Sequence, residues 1–236
     1  MLTADDVRST GQSLWLDNLD RGLLLTGGLS ALMRDRAVTG LTSNPSIFEK
    51  ALSGPYYEAP MRELASIKGS PEEIFETLAA EDIQRAADLL RPVYDAAGGQ
   101  DGFVSLEVSP KLARDAAATL HDGIRLAGRI GRPNLMIKVP ATPEGLKAGE
   151  DLLRGGISVN FTLIFSVERY REVTRAYISA MLWRLKNGLP AEGISSVASF
   201  FVSRIDTAVD KLLDAAGKPG ALALRGRTGV ANSLAA

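Results

Sequence analysis

One lysine stands out for the company it keeps. Lys138 lies between Ile137 and Val139 in the apolar segment NLMIKVPAT (134–142), although lysine is almost never fully buried without a partner. An unperturbed lysine amine titrates at ~10.4 and is almost wholly protonated at neutral pH. Burial lowers that value and frees the amine to attack a carbonyl carbon and form an imine. The iminium then withdraws electrons and loosens the neighbouring carbon–carbon bond. Such chemistry requires no metal. It does require a carboxylate to take a hydroxyl proton during cleavage, and acid–base help to make and hydrolyse the imine. Asp17 in SLWLDN (13–18) and Glu107 in GFVSLEVSP (102–110) can supply both. Asn44 in GLTSNP (40–45), Asn160 and Thr162 in ISVNFTLIFS (157–166), and Ser199 in SSVASFFVS (195–203) add amides and hydroxyls.

Singly, each residue has a plainer reading. Asp17 with Asn18 could cap a turn, Glu107 could be a strand-end charge, and Asn160 and Thr162 could be satisfied core groups. Lys138 could snorkel from a strand edge. What joins them is their place in the chain.

All of them fall in six short apolar segments, most followed by a helical pattern. Strand-sized runs alternating with helices read as successive βα units on a parallel sheet. Side chains alternate faces along a strand, so Trp15 goes with Asp17, Thr42 with Asn44, Ser105 with Glu107 and Met136 with Lys138. Likewise Asn160 and Thr162 oppose Val159, Phe161 and Leu163, while Ser199, Phe201 and Ser203 oppose Ala198, Phe200 and Val202. A parallel strand buried on both faces is normally continuously apolar. A polar face repeated on every strand, with Asp17, Asn44, Glu107 and Lys138 near strand ends, describes the active-site side of a βα barrel.

Helix signals agree. Ser70-Pro71-Glu72-Glu73 orders a cap, a first-turn proline and a capping-box acid. Residues 166–188 carry an apolar face through Tyr170, Val173, Tyr177, Met181 and Leu185 and end at Gly188. The connection 46–101 should hold two or three helices, one bent or ended near Pro92. The absence of a linker or repeat predicts one domain over 1–236.

Composition narrows the field. With 27 basic and 28 acidic residues, no net field suggests a nucleic-acid or membrane partner. The absence of cysteine removes disulfides and thiolate chemistry, and a single histidine, His121, removes a multi-histidine metal site. No metal or cofactor is expected. The start, MLTADDVRST, does not read as a secretory signal, and no apolar run is long enough to span a bilayer, so a cytoplasmic protein is expected.

GQSLWLDNLDRGLL, GLTSNPSIFEKAL, VSLEVSP, NLMIKVPAT, VNFTLIFS and ASFFVSRIDTAVDK, in this order, resemble the transaldolase family, its longer bacterial branch in particular. The resemblance implies an α/β fold of the (β/α)8 barrel type. It also implies transfer of a dihydroxyacetone unit between sugar phosphates in the pentose phosphate pathway. Lys138 would form the Schiff base, Asp17 would exchange the substrate hydroxyl proton, and Glu107 with Thr162 would handle water. Asn44, Asn160 and Ser199 would hold hydroxyls of the three-carbon unit, and Arg204 would grip a phosphate, a role suited to a planar fork of donors. His121 matches no catalytic position.

After the sixth strand come one helix and ALRGRTGVAN, which resembles the opening of the family's next helix. The chain is therefore expected to carry about six βα units and lack the last two, leaving strand edges that favour self-association into a homo-oligomer. The alternatives are an inactive truncated remnant, and a lysine aldolase acting on free dihydroxyacetone.

Overall fold

Burial and hydrogen bonding along the chain follow the apolar segments. In the computed structural model, which describes residues 3–67 and 69–236, the elements are α1 (Ala4–Ser9), β1 (Leu14–Asp17), α2 (Arg21–Leu25), α3 (Gly28–Arg36), β2 (Val38–Thr42) and α4 (Pro45–Leu52). There follow α5 (Glu58–Ser66), α6 (Pro71–Ala96), β3 (Val104–Glu107), α7 (Ala116–Ile130), β4 (Leu135–Pro140) and α8 (Pro143–Arg154). The last are β5 (Val159–Ile164), α9 (Val167–Lys186), β6 (Ser196–Phe200), α10 (Ser203–Ala216), α11 (Pro219–Leu222) and α12 (Thr228–Ala235). The six strands hydrogen-bond in the order β1-β2-β3-β4-β5-β6, with parallel pairing. Sequential parallel strands alternating with helices are the arrangement of a partial (β/α) barrel. Each strand falls where an apolar segment predicts one; β2 begins two residues before the segment used to locate it. No helix among the described residues is long and apolar enough to cross a membrane.

The chain divides into two compact units, one formed by Gly123–Ile137 and the described residues up to Val108, the other by Ser109–Asp122 and Lys138–Ala236. In the first, α6 is the principal covering helix and buries Leu78, Ile83, Ala86, Ala87 and Leu90. Its capping box forms as expected: the Glu73 amide donates to Ser70 Oγ at 3.2 Å, and Glu73 Oε2 accepts from the Ser70 amide at 2.8 Å. Pro92 does not end the helix, which runs on to Ala96. The missing backbone bond falls near the helix end, after the buried stripe has anchored it. Buried Asn134 ties the helix to the strand entries, donating to the carbonyls of Ala87 at 2.9 Å and Gly102 at 2.8 Å.

In the second unit α8 lies against β5. A Cβ on Gly149 would meet the Phe161 ring at 2.3 Å, so glycine is what allows this approach. Helix α9 is capped by Ser166 and ends before Gly188, as its sequence predicts. Its buried stripe differs from the predicted one: Val173, Ala176, Ala180 and Arg184 are buried, whereas Leu185 is 60% exposed. The Arg184 guanidinium takes the inward place because it satisfies the carbonyls of Pro190 at 2.8 Å and Arg154 at 2.5 Å.

Candidate active site

In the first unit, β1 and β2 set the position of Asp17. Trp15 lies on Gly40, where a Cβ would approach the indole to 2.5 Å. Beyond that contact Leu16 pairs with Leu41, and Asp17, the last residue of β1, pairs with Thr42. Asp17 is exposed. Asn44 is not on β2, contrary to the strand alternation that groups it with Thr42. It is the N-cap of α4, with Oδ1 accepting from the Ile47 amide at 3.0 Å and Pro45 following at the first helical position. Between them, buried Ser43 donates through Oγ to the Ser105 carbonyl at 2.8 Å, joining the C-terminal ends of β2 and β3. Two residues later β3 ends at Glu107, half-buried between buried Leu106 and Val108.

In the second unit Lys138 is 5% exposed, within a strand whose six residues are all buried and beside fully buried Ile137 and Val139. It does not snorkel to an edge. Asn160 and Thr162 of β5 are each 1% exposed. The Ser199 hydroxyl on β6 donates to Asn160 Oδ1 at 2.8 Å, so these two predicted site residues are brought together. Ser203, placed on the sixth strand by alternation, instead opens α10, because β6 ends at Phe200.

Arg204 lies in the first turn of α10 and is exposed. Its guanidinium carbon sits 4.5 Å above the Phe201 ring, and Phe201 packs against Phe165 at 5.2 Å between ring centres. The acids available for a surface ion pair have other bonds. Asp206 accepts from the Gly229 amide at 2.7 Å, and Asp210 accepts from the Gly226 amide at 3.1 Å. His121 is exposed on α7.

Strand β5 departs from regular alternation. Phe161 pairs with Ala198 but Ile164 pairs with Phe200, so three steps on β5 match two on β6. Leu163, expected on the apolar face with Val159 and Phe161, is 39% exposed with a φ of 61°. Ile164, fully buried, takes its place. A run of apolar letters gives no sign of this bulge. The Asn44 cap, by contrast, is legible in the Asn-Pro pair.

Residues 14–235 match the family described as transaldolase/fructose-6-phosphate aldolase. The chain belongs to that family. It is 48% identical over 224 residues to transaldolase 1 of Streptomyces coelicolor, covering 94% of this chain and 59% of the relative. It is 50% identical to the transaldolase of Thermobifida fusca, again over 94% of the chain and 61% of the relative. With the transaldolase of Mycobacterium bovis it shares 47% over 226 residues, 95% of the chain and 61% of the relative. The chain thus spans about three fifths of the length of these relatives.

Proposed function

We propose that the chain carries transaldolase chemistry. A dihydroxyacetone unit passes between sugar phosphates, from sedoheptulose 7-phosphate to glyceraldehyde 3-phosphate, giving erythrose 4-phosphate and fructose 6-phosphate. This is a reaction of the pentose phosphate pathway. The observation that carries the reading is Lys138, an amine 5% exposed amid apolar neighbours on β4. The names of the relatives support the same assignment.

The steps follow from the groups. Lys138 Nζ adds to the ketose carbonyl carbon, and water leaves to give the iminium. Glu107 and Thr162 move the protons of that water. Asp17 takes the proton of the hydroxyl on the far carbon of the bond to be cut, the carbon that becomes the departing aldehyde. As that bond breaks, an aldose phosphate departs, the bonding pair forms the carbon–carbon double bond of a three-carbon enamine, and the iminium π pair moves onto nitrogen. The enamine adds to the acceptor aldehyde, Asp17 returns its proton, and water hydrolyses the new imine. Asn160 and Ser199, already bonded to each other, hold hydroxyls of the three-carbon unit. Asn44 contributes through Nδ2, because its Oδ1 is committed to the α4 cap. Arg204, stacked on Phe201, offers two parallel donors to phosphate oxygens.

Borohydride added with fructose 6-phosphate tests the assignment. An irreversible adduct should map to Lys138 and vanish in Lys138→Ala. No adduct, or one on Lys111 or Lys147, overturns it. Release of free dihydroxyacetone without an acceptor would place the chain with the aldolases of the family instead.

A further inference from the structure

The bulge in β5 sits beside a residue assigned to the chemistry. Asn160 pairs with Val197 and Phe161 with Ala198, as regular parallel strands do. The next pair is Ile164 with Phe200, which leaves Thr162 and Leu163 together opposite Ser199. The surplus is absorbed at Leu163, whose φ of 61° lies in the left-handed region that leucine avoids. The distortion is held on both sides: the Thr162 carbonyl accepts from the Ala141 amide at 2.8 Å, and the Ile164 carbonyl accepts from the Phe201 amide at 2.8 Å.

The extra residue changes which side chains share a face. Ala198 and Phe200 lie two apart on β6 and share one face. Their partners Phe161 and Ile164 therefore share a face too, and both are fully buried. Without the bulge Ile164 would continue the row of Asn160 and Thr162 and lay a branched apolar side chain beyond Thr162. With the bulge the polar row ends at Thr162, and the residue that yields is Leu163, whose side chain is 39% exposed. The left-handed backbone is therefore not a by-product of burying that side chain. A bulge beside a working residue commonly re-aims a side chain, and backbone strain persists only where its surroundings over-determine it.

We propose that Leu163 is a positioning residue: its left-handed backbone ends the polar row of β5 at Thr162 and fixes that hydroxyl opposite Ser199. Glycine and asparagine adopt this conformation readily, whereas isoleucine resists it strongly. In Leu163→Ile, β5 should regularise, with φ at 163 becoming negative and Ile164 joining the row of Asn160 and Thr162. Leu163→Gly and Leu163→Asn should keep the bulge and the Ser199–Asn160 hydrogen bond.

The functional consequence rests on the lysine-imine reading above. A hydroxyl misplaced by about an ångström can cost a hundredfold. Formation of the borohydride-trapped imine should therefore slow by about that factor in Leu163→Ile and stay within about threefold of wild type in the other two. A purely structural role would lower the melting temperature of Leu163→Ile without the rescue of imine formation by glycine or asparagine. Crystal structures of the variants read the geometry independently of activity. A Leu163→Ile structure that keeps the positive φ and the Phe161–Ala198, Ile164–Phe200 register overturns the proposal. So does a Leu163→Gly protein that keeps the bulge but loses imine formation. If the wild-type chain gives no Lys138 adduct while the variant structures behave as described, the functional reading fails and the account of the bulge stands. If Leu163→Ile does not fold, a glycine or asparagine variant that loses the bulge overturns the proposal, and one that keeps both bulge and imine formation supports it.

Discussion

Arg21→Met should be among the most damaging substitutions outside the strands. Arg21 is 3% exposed and faces Asp82, which is fully buried on α6. Its Nε donates to Asp82 Oδ1 at 2.8 Å, and Nη2 donates to Glu81 Oε2 at 2.9 Å. Tyr57 closes the cluster: its hydroxyl donates to Asp82 Oδ2 at 2.7 Å and accepts the Arg21 amide at 2.9 Å. Removing the guanidinium leaves a carboxylate in the interior with one neutral donor. Such a loss costs about 3–5 kcal/mol, against a typical total of ~5–15 kcal/mol. Tyr57→Phe removes one bond to a charged group and strands the Arg21 amide, at a cost of about 1–3 kcal/mol. Replacing both charges, as in Arg21→Met with Asp82→Leu, should cost far less than the sum of the single changes, because neither charge is left alone.

The pH dependence follows in sign. Burial pushes the Asp82 carboxyl above its ordinary value, outweighing Tyr57 and Arg21, which pull it down. A carboxyl raised in the folded state binds its proton more tightly folded than unfolded. Its favourable contribution is present below the unfolded value of ~3.9 and is lost as pH rises through the folded value. Without Arg21 the carboxyl rises further, so the penalty of Arg21→Met should be largest near neutrality and shrink as pH falls toward the unfolded value. Urea unfolding at several pH values reads both effects. An Arg21→Met protein within about 1 kcal/mol of wild type at neutral pH would refute the reasoning. So would a penalty that grows on acidification, or a double mutant that loses the full sum.

The two carboxylates assigned to chemistry should separate in single-turnover trapping: Asp17→Asn forms the imine but cleaves it poorly, whereas Glu107→Gln forms it slowly, and equal trapping rates would contradict the division. Glu76 takes ion pairs from Arg125 and, at 2.6 Å, from Arg129, and the nearby guanidinium of Arg125 holds its carboxyl below the usual range. That contribution is present above the unfolded value of ~4.3 and is lost as pH falls through the folded one, so Glu76→Gln should flatten the acid limb of stability measured by urea unfolding. Gly149→Ala should destabilise by about 1–3 kcal/mol through overpacking against Phe161, read as a lower urea midpoint at unchanged slope.

What the residues revealed, and what they hid, follows from the range of the interactions involved. Lys138 between Ile137 and Val139 is legible because a strand alternates locally, and a charge in an apolar run has no surface to reach unless the strand is an edge. The same local rule failed at Leu163. Nothing in NFTLIF distinguishes a regular strand from one with a surplus residue, since the bulge is defined by its register against β6, a segment more than thirty residues away. Arg184 and Leu185 show a similar limit. Periodicity alone turned the leucine inward, but carbonyls left by the end of α8 and by the turn after α9 made the guanidinium the better inward group. The cluster of Arg21, Tyr57 and Asp82 was equally hidden, because its members come from three elements and each alone reads as an ordinary surface or helix residue. Backbone geometry and short capping motifs can thus be read from neighbours in sequence. Where a polar group is buried because a distant carbonyl or carboxylate needs it, the reason for its place lies elsewhere in the chain, and only the fold brings the two together.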